Sequence, residues 1–309
     1  MQAQPGQQKG FARQLRGFAL IDRERIEGLD LDYACFLVPE GRSLSHARKQ
    51  LAKLLPDAEV DADNIYIASG LIDGGVAAHP SVTGHIEQRG FAKGAPSAGR
   101  HGTAVASLLV GSGSVQSAAP GTRLLAADVY GTDPAGGTAT AIVRAPGWLV
   151  QAGVAMTTIS LLDPDNKLLA LAVARAHARG MLVIAAVGND GPATPPACSA
   201  SCRGVLAVTG VNAKNRALPK AGRALHVDFA APGNDVLAAT GLASTDRLRE
   251  TSFAAPLVAE RLALRYPVPA IDQIGPAVAG LVLEARDLGK PGSDRIYGHG
   301  LICGACGGR

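Results

Sequence analysis

The sequence predicts a three-layer α/β/α domain with a mostly parallel sheet, preceded by a small α+β unit, and three observations carry that expectation. From Gly70 onward, short apolar runs bounded by glycine alternate with Ala-rich segments of helical period, the texture of strands buried on both faces beneath crossover helices. Residues 17–67 read differently, as period-two alternation followed by one helical stretch. The 309-residue chain exceeds one typical domain, and with 47% hydrophobic but only 4% aromatic residues its core must be built from Ala, Val and Leu. Its 38 glycines and 19 prolines thread that core with turns.

In the first unit, residues 17–40 alternate around Phe18, Leu20, Ile26, Leu29, Leu31, Tyr33 and Phe36, which predicts two short strands separated by a charged turn. Ser43 is placed to cap a helix carrying Leu44, Ala47, Leu51, Leu54 and Leu55, and Pro56 stops the pattern. Residues 58–67 read as a further strand. The boundaries predicted are 1–67 for an α+β domain with a disordered polar start and 68–309 for the larger domain. A unit of that size is marginal by itself because small domains bury a smaller share of their surface.

In the larger domain the strand candidates are 70–73, 123–129, 154–160, 181–187 and 205–211, and the helix candidates 103–109, 138–151, 167–179 and 253–264. Pro146-Gly147 interrupts the second helix, where a kink is expected.

The net charge of +4 arises from 30 basic and 26 acidic residues spread along the chain without long basic runs, which argues against a nucleic-acid partner. No apolar stretch approaches the roughly 20 residues of a membrane-spanning helix. The opening eight residues are polar and lack the apolar core of a secretory signal, and we expect a periplasmic or secreted protein whose signal is absent from this chain. Four of the five cysteines fall in close pairs, Cys198 with Cys202 and Cys303 with Cys306, with Cys35 alone. Disulfides or buried and tail thiols both fit that spacing. Cys303-Gly-Ala-Cys306 lacks the strand and helix context of a redox site. His46, His79, His85, His177, His226 and His299 show no metal-ligand spacing and read as structural.

Four short motifs carry chemistry. Asp73, in Leu71-Ile-Asp-Gly-Gly-Val76, closes an apolar strand, where a sheet edge delivers side chains into a crevice. A buried carboxylate there holds one imidazole nitrogen and stabilises an imidazolium. His101, in Arg100-His-Gly-Thr-Ala-Val-Ala106, opens a helix of small residues, with Gly102 leaving room beside the ring. Ser252, in Thr251-Ser-Phe-Ala-Ala-Pro256, opens another helix, whose free N–H groups favour developing negative charge. Asn189, in Ala186-Val-Gly-Asn-Asp-Gly191, follows a strand and can donate to an oxyanion. Each alone is an ordinary turn or cap residue.

In the order Asp, His, Ser, with the Asn189 motif as a fourth, the set resembles the subtilisin-like serine peptidases, whose triad runs in that chain order. The likeness extends through Ala118-Ala-Pro-Gly121, Phe229-Ala-Ala-Pro-Gly233 and Tyr297-Gly-His-Gly-Leu301, covering about residues 68–301. It implies a subtilisin-like fold and endopeptidase activity on proteins or peptides, with Ser252 as nucleophile, His101 as general base, Asp73 as its orienting carboxylate and Asn189 in the oxyanion hole. It implies substrate contacts from Ser160, Leu161, Leu162, Ala186 and Gly188. No cofactor is required, and structural calcium stays open because no compact run of carboxylates resembles a calcium loop. The first unit resembles the family's propeptide, making it a partner of the cleft. A catalytically silent scaffold that binds peptides is the rival reading, and an esterase or ligase using the same acyl-enzyme is a third.

Three features depart from the family pattern. Glu250 stands where glycine usually precedes Thr-Ser, and its charge either opposes a developing oxyanion or points into solvent. Leu162 replaces a glycine of the substrate-binding strand, an exchange expected to narrow the cleft and favour small side chains near the scissile bond. Only seven positions separate Tyr66 from Asp73, less chain than relatives usually carry before the aspartate, so residues 1–67 are expected to stay attached.

Overall fold

The computed structural model describes residues 17–26, 31–38, 42–60, 68–82, 84–115, 117, 122–132, 137–161, 166–193, 199–222 and 224–303. The chain divides into two compact units, Met1–Ile65 and Tyr66–Arg309.

In the first unit, β1 (Ala19–Ile26) pairs antiparallel with β2 (Leu31–Leu37), from Ala19 opposite Leu37 to Ile26 opposite Leu31. Arg25 and Asp32 face each other in that register and form an exposed ion pair at 2.8 Å. In α1 (Leu44–Leu54) the Ser43 hydroxyl accepts the His46 N–H at 3.3 Å, the cap expected from sequence. The strand expected over 58–67 is absent at 58–60, which follow a turn begun at Pro56, and 61–67 lie outside the described residues.

The second unit is built on seven parallel strands: β3 (Ala68–Asp73), β4 (Ile86–Gly90), β5 (Arg123–Asp128), β6 (Met156–Ile159), β7 (Leu182–Ala186), β8 (Val205–Val211) and β9 (Phe229–Pro232). Their spatial order is β4-β5-β3-β6-β7-β8-β9. Strands β6, β7 and β8 are buried at every residue, which is why they read as unbroken apolar runs. Successive side chains point to opposite faces. Leu71 thus joins a layer with α2 (Arg100–Val110), α5 (Ala255–Ala263) and α6 (Ile274–Glu284), whereas Ile72 packs with α3 (Ala139–Gln151) and α4 (Lys167–His177). The result is the three-layer α/β/α architecture. Helix α2 is buried at every position from Gly102 to Val110, which accounts for its small side chains.

After β3 the chain builds β4 and β5 on one side, then crosses to place β6 on the other. The C-terminal ends of β3 and β6 therefore flank a topological switch point, where open α/β sheets form their crevice.

Several boundaries differ from expectation. Helix α2 starts at Arg100 behind the N-cap Gly99, and β6 shortens to four residues. The helix expected over 253–264 is a 3₁₀ turn, Thr251–Phe253, followed by α5, because Pro256 sits in the first turn of α5 and sets its start. Ser252 accordingly lies in the 3₁₀ turn ahead of the helix. Pro146 is buried inside α3, which runs on to Gln151 without ending there. Strand β4, α6 and an antiparallel hairpin of β10 (Asn234–Thr240) and β11 (Ser244–Arg249) were not anticipated.

Candidate active site

Asp73 is the last residue of β3 and only 1% exposed. The Val129 N–H donates to its carbonyl at 2.9 Å, tying the strand end to the segment after β5. Its carboxylate accepts the Gly74 N–H at 2.6 Å and faces His101 Nδ1 at 2.9 and 3.0 Å. An ionised carboxylate only accepts, so Nδ1 carries the proton and Nε2 is the open position of a neutral ring.

His101 reaches that place because α2 meets the strand end backbone to backbone. A Cβ on Gly102 would stand 2.2 Å from the Gly74 carbonyl oxygen, and one on Gly75 would stand 2.4 Å from that of Ser97. The Gly99 N–H donates to the Gly75 carbonyl at 2.8 Å, closing the same junction. The imidazole packs 5.7 Å from the Phe253 ring, and Glu250 Oε2 lies 3.8 Å from its Nε2. Burial is the largest influence on this imidazole and lowers its pKa, but the charge and hydrogen bond of Asp73 together with the charge of Glu250 outweigh it and hold it above the ordinary histidine value.

Ser252 is 4% exposed, and its carbonyl accepts the Ser160 hydroxyl at 3.4 Å. The turn is pinned on both sides: the Glu250 N–H donates to the Gly233 carbonyl at 2.9 Å, and the Thr251 N–H to Asn189 Oδ1 at 2.9 Å. The Thr251 hydroxyl donates to the Gly188 carbonyl at 3.1 Å. A backbone N–H requires an acceptor, which fixes the Asn189 amide with Oδ1 toward Thr251. Its amino group is thereby left for the cavity that Asn189 lines.

One cavity of about 360 Å³ is lined by Asp73, His101, Ser252 and Asn189, and also by Ser160, Leu161, Ala186 and Gly188. Leu162 lies outside the described residues. Glu250 lines it too, with Arg100, Ser97 and Tyr130, of which the last two were not foreseen. Ser97 and the loop at Tyr130 are organised by Asp128, fully buried and opposite Asp73 in the β3–β5 register. Its carboxylate accepts N–H groups from Ser97 at 2.7 Å and from Tyr130 and Gly131 at 2.9 Å. Asp128 ends an apolar run as Asp73 does, and that pattern was the available signal.

Among the described residues, no group of three or more His, Cys, Asp or Glu side chains is placed to hold a metal ion, and no helix is long and apolar enough to cross a membrane. Cys303 is disulfide-bonded, whereas Cys198 and Cys306 lie outside the described residues, as does Ala118-Ala-Pro-Gly121.

Comparison with known proteins places the family and the fold. The subtilase family model matches residues 62–300. Subtilisin DY of Bacillus licheniformis is 31% identical, over 86% of this chain and 96% of that protein. The minor extracellular protease Epr of Bacillus subtilis is 29% identical over 79% of this chain, which spans 38% of that longer protein. Among solved structures, the protease domain of PatA superposes with a TM-score of 0.67 at 25% identity, covering 78% of this chain and 93% of that one. The prenylagaramide maturation protease PagA gives 0.66 at 25% identity, covering 77% and 91%.

Proposed function

We propose that this chain, which belongs to the subtilase family, hydrolyses internal peptide bonds through an acyl-enzyme formed on Ser252. The observation that carries the reading is the buried Asp73 carboxylate on His101 Nδ1, in the cavity that Ser252 and Asn189 also line. In this reading His101 Nε2 takes the hydroxyl proton as Ser252 Oγ attacks the carbonyl carbon. Asp73 keeps Nδ1–H donating and stabilises the imidazolium. The Asn189 amino group donates to the oxyanion, a contact whose loss costs about 2.7–4 kcal/mol, a range taken from a relative in this family. Collapse of the tetrahedral intermediate expels the amine, which receives the proton from Nε2, and water then hydrolyses the ester by the same route in reverse.

Ser160, Leu161, Ala186 and Gly188 would border the bound peptide, with Leu162 beside them in sequence. The chemistry requires no metal or cofactor, and structural calcium would act on stability alone. Protein or peptide substrates are the partners proposed, with no nucleic acid. The word extracellular in one relative's name supports an exported setting. Residues 1–67 are proposed to remain attached as a companion domain and a partner of the cleft.

A fluorophosphonate probe tests the core of this. Labelling of the wild type that disappears in Ser252→Ala is expected. Folded protein that takes no label would overturn the reading in favour of a silent peptide-binding scaffold, and product analysis separates hydrolysis from ligation.

A further inference from the structure

Asp73 and His101 account for one side of the imidazole; the other side is occupied by Glu250. Its side chain is 46% exposed, and Oε2 lies 3.8 Å from Nε2, the nitrogen that must take the serine proton and pass it to the leaving amine. The charges around the cavity do not cancel this carboxylate. Arg100, a cation in the lining, is held by Asp246 at 2.8 Å. Among the described residues, the ion-pair neighbour of Glu250 is His101 itself. The acid therefore lines the cavity beside the nitrogen that, in the peptidase reading, hands its proton to the leaving amine, and its charge is matched among the described residues only by a base that has to be neutral to act.

We propose that Glu250 is a specificity-determining residue that selects peptides with a lysine or arginine as the first residue on the leaving side of the scissile bond. The inference rests on the peptidase reading and deepens it. The carboxylate sits beside the imidazole. A substrate ammonium or guanidinium on the residue that supplies the leaving amine draws it away, leaving Nε2 to Ser252. A neutral or acidic side chain at that position gives the carboxylate no alternative partner and, if acidic, adds repulsion. Burial lowers the His101 pKa, Asp73 does most to raise it, and the charge of Glu250 adds the smallest raising influence, in the direction its nearness to Nε2 requires.

The test is kcat/KM on one peptide series that differs only at that residue, with lysine, norleucine and glutamate. Wild type is expected to favour lysine over norleucine by about fivefold, the scale of a partly exposed charge pair. The preference should weaken with salt, because exposed charges are screened over about 10 Å at 0.1 M. Glu250→Gln should bring the ratio close to one, and Glu250→Lys should turn it toward glutamate. Equal lysine-to-norleucine ratios in wild type and Glu250→Gln, with peptides turned over by both, overturn this inference alone. Failure of wild type to cleave any peptide in the series or in a mixed library overturns the peptidase reading and this one with it.

Discussion

His101 is held between two carboxylates with different tasks. Asp73 is buried and hydrogen-bonded, so it fixes tautomer and orientation, whereas half-exposed Glu250 places its charge 3.8 Å from Nε2, the nitrogen proposed to take the serine proton. Both favour the imidazolium, but a general base works only when neutral. With its pKa raised above 6.5, the proposed base should become inactive as pH falls through a value higher than that of an ordinary histidine. Glu250→Gln removes one raising influence and leaves Asp73, so the acidic limb of kcat/KM on a neutral peptide should move to lower pH; an unmoved limb would contradict the role given to Glu250. The residues of the site were legible where chemistry and local pattern coincide. Asp73 ends a strand before Gly74, Asn189 follows Gly188 after a strand, His101 opens a helix before Gly102, and Ser252 lies in the turn before Ala254-Ala255-Pro256. Ser97 and Tyr130 were not, because their backbone N–H groups are what Asp128 holds, and a backbone donor leaves no mark on residue type. Glu250 was visible as a departure from pattern, but its approach to Nε2 is a tertiary fact.

Between elements, β3 and α5 meet through a buried acid. Glu260 and Arg261 look like the solvent face of a helix, yet Glu260 is fully buried, with Oε1 accepting the Ser69 hydroxyl at 2.9 Å. Its Oε2 has no hydrogen-bond partner among the described residues, and neither does the Thr158 hydroxyl on neighbouring β6. Burial pushes the Glu260 carboxyl up to about 8, the Ser69 hydrogen bond offsetting only part of it. Because the folded state holds this proton more tightly than the unfolded chain does, its favourable contribution is complete below about 4.5 and is lost as pH rises toward about 8. Within that window the loss is at most about 1.4 kcal/mol per pH unit. Glu260→Gln keeps an acceptor for Ser69 and cannot ionise. In a Ser252→Ala background that prevents self-digestion, its Tm relative to Glu260 should therefore rise progressively from about pH 5 to about pH 8 and level off above that. A constant difference in Tm would refute a buried neutral acid. The same contrast explains which elements were legible: β5, β7 and β8 are apolar along most or all of their length, whereas β4 (Ile-Glu-Gln-Arg-Gly) is an edge strand and β11 (Ser-Thr-Asp-Arg-Leu-Arg) the more exposed half of a hairpin. Their polarity hides them from a search for buried runs.

At the scale of the whole molecule, the place of β3 limits how the chain can be processed. This strand lies between β5 and β6 in the sheet and ends on Asp73, so it is both structural centre and catalytic support. Its pairing begins at once, with Ala68 opposite Arg123 and Ser69 opposite both Leu124 and Met156. The compact second unit starts at Tyr66, only two residues before that first pair. A cut that released the first unit while sparing the sheet would have to fall ahead of Ala68. A cut within 68–73 would remove ladder hydrogen bonds on both sides of a central strand and free the segment that positions His101. The sequence spacing suggested retention, and the register adds that any cut sparing β3 is confined to the chain ahead of Ala68. Active protein should therefore retain residues 1–67, and intact-mass measurement of material that labels with a fluorophosphonate checks this directly. If the labelled species instead begins at or near residue 68, the first unit is a removable propeptide, and the proposed companion domain falls while the assignment of Ser252 stands.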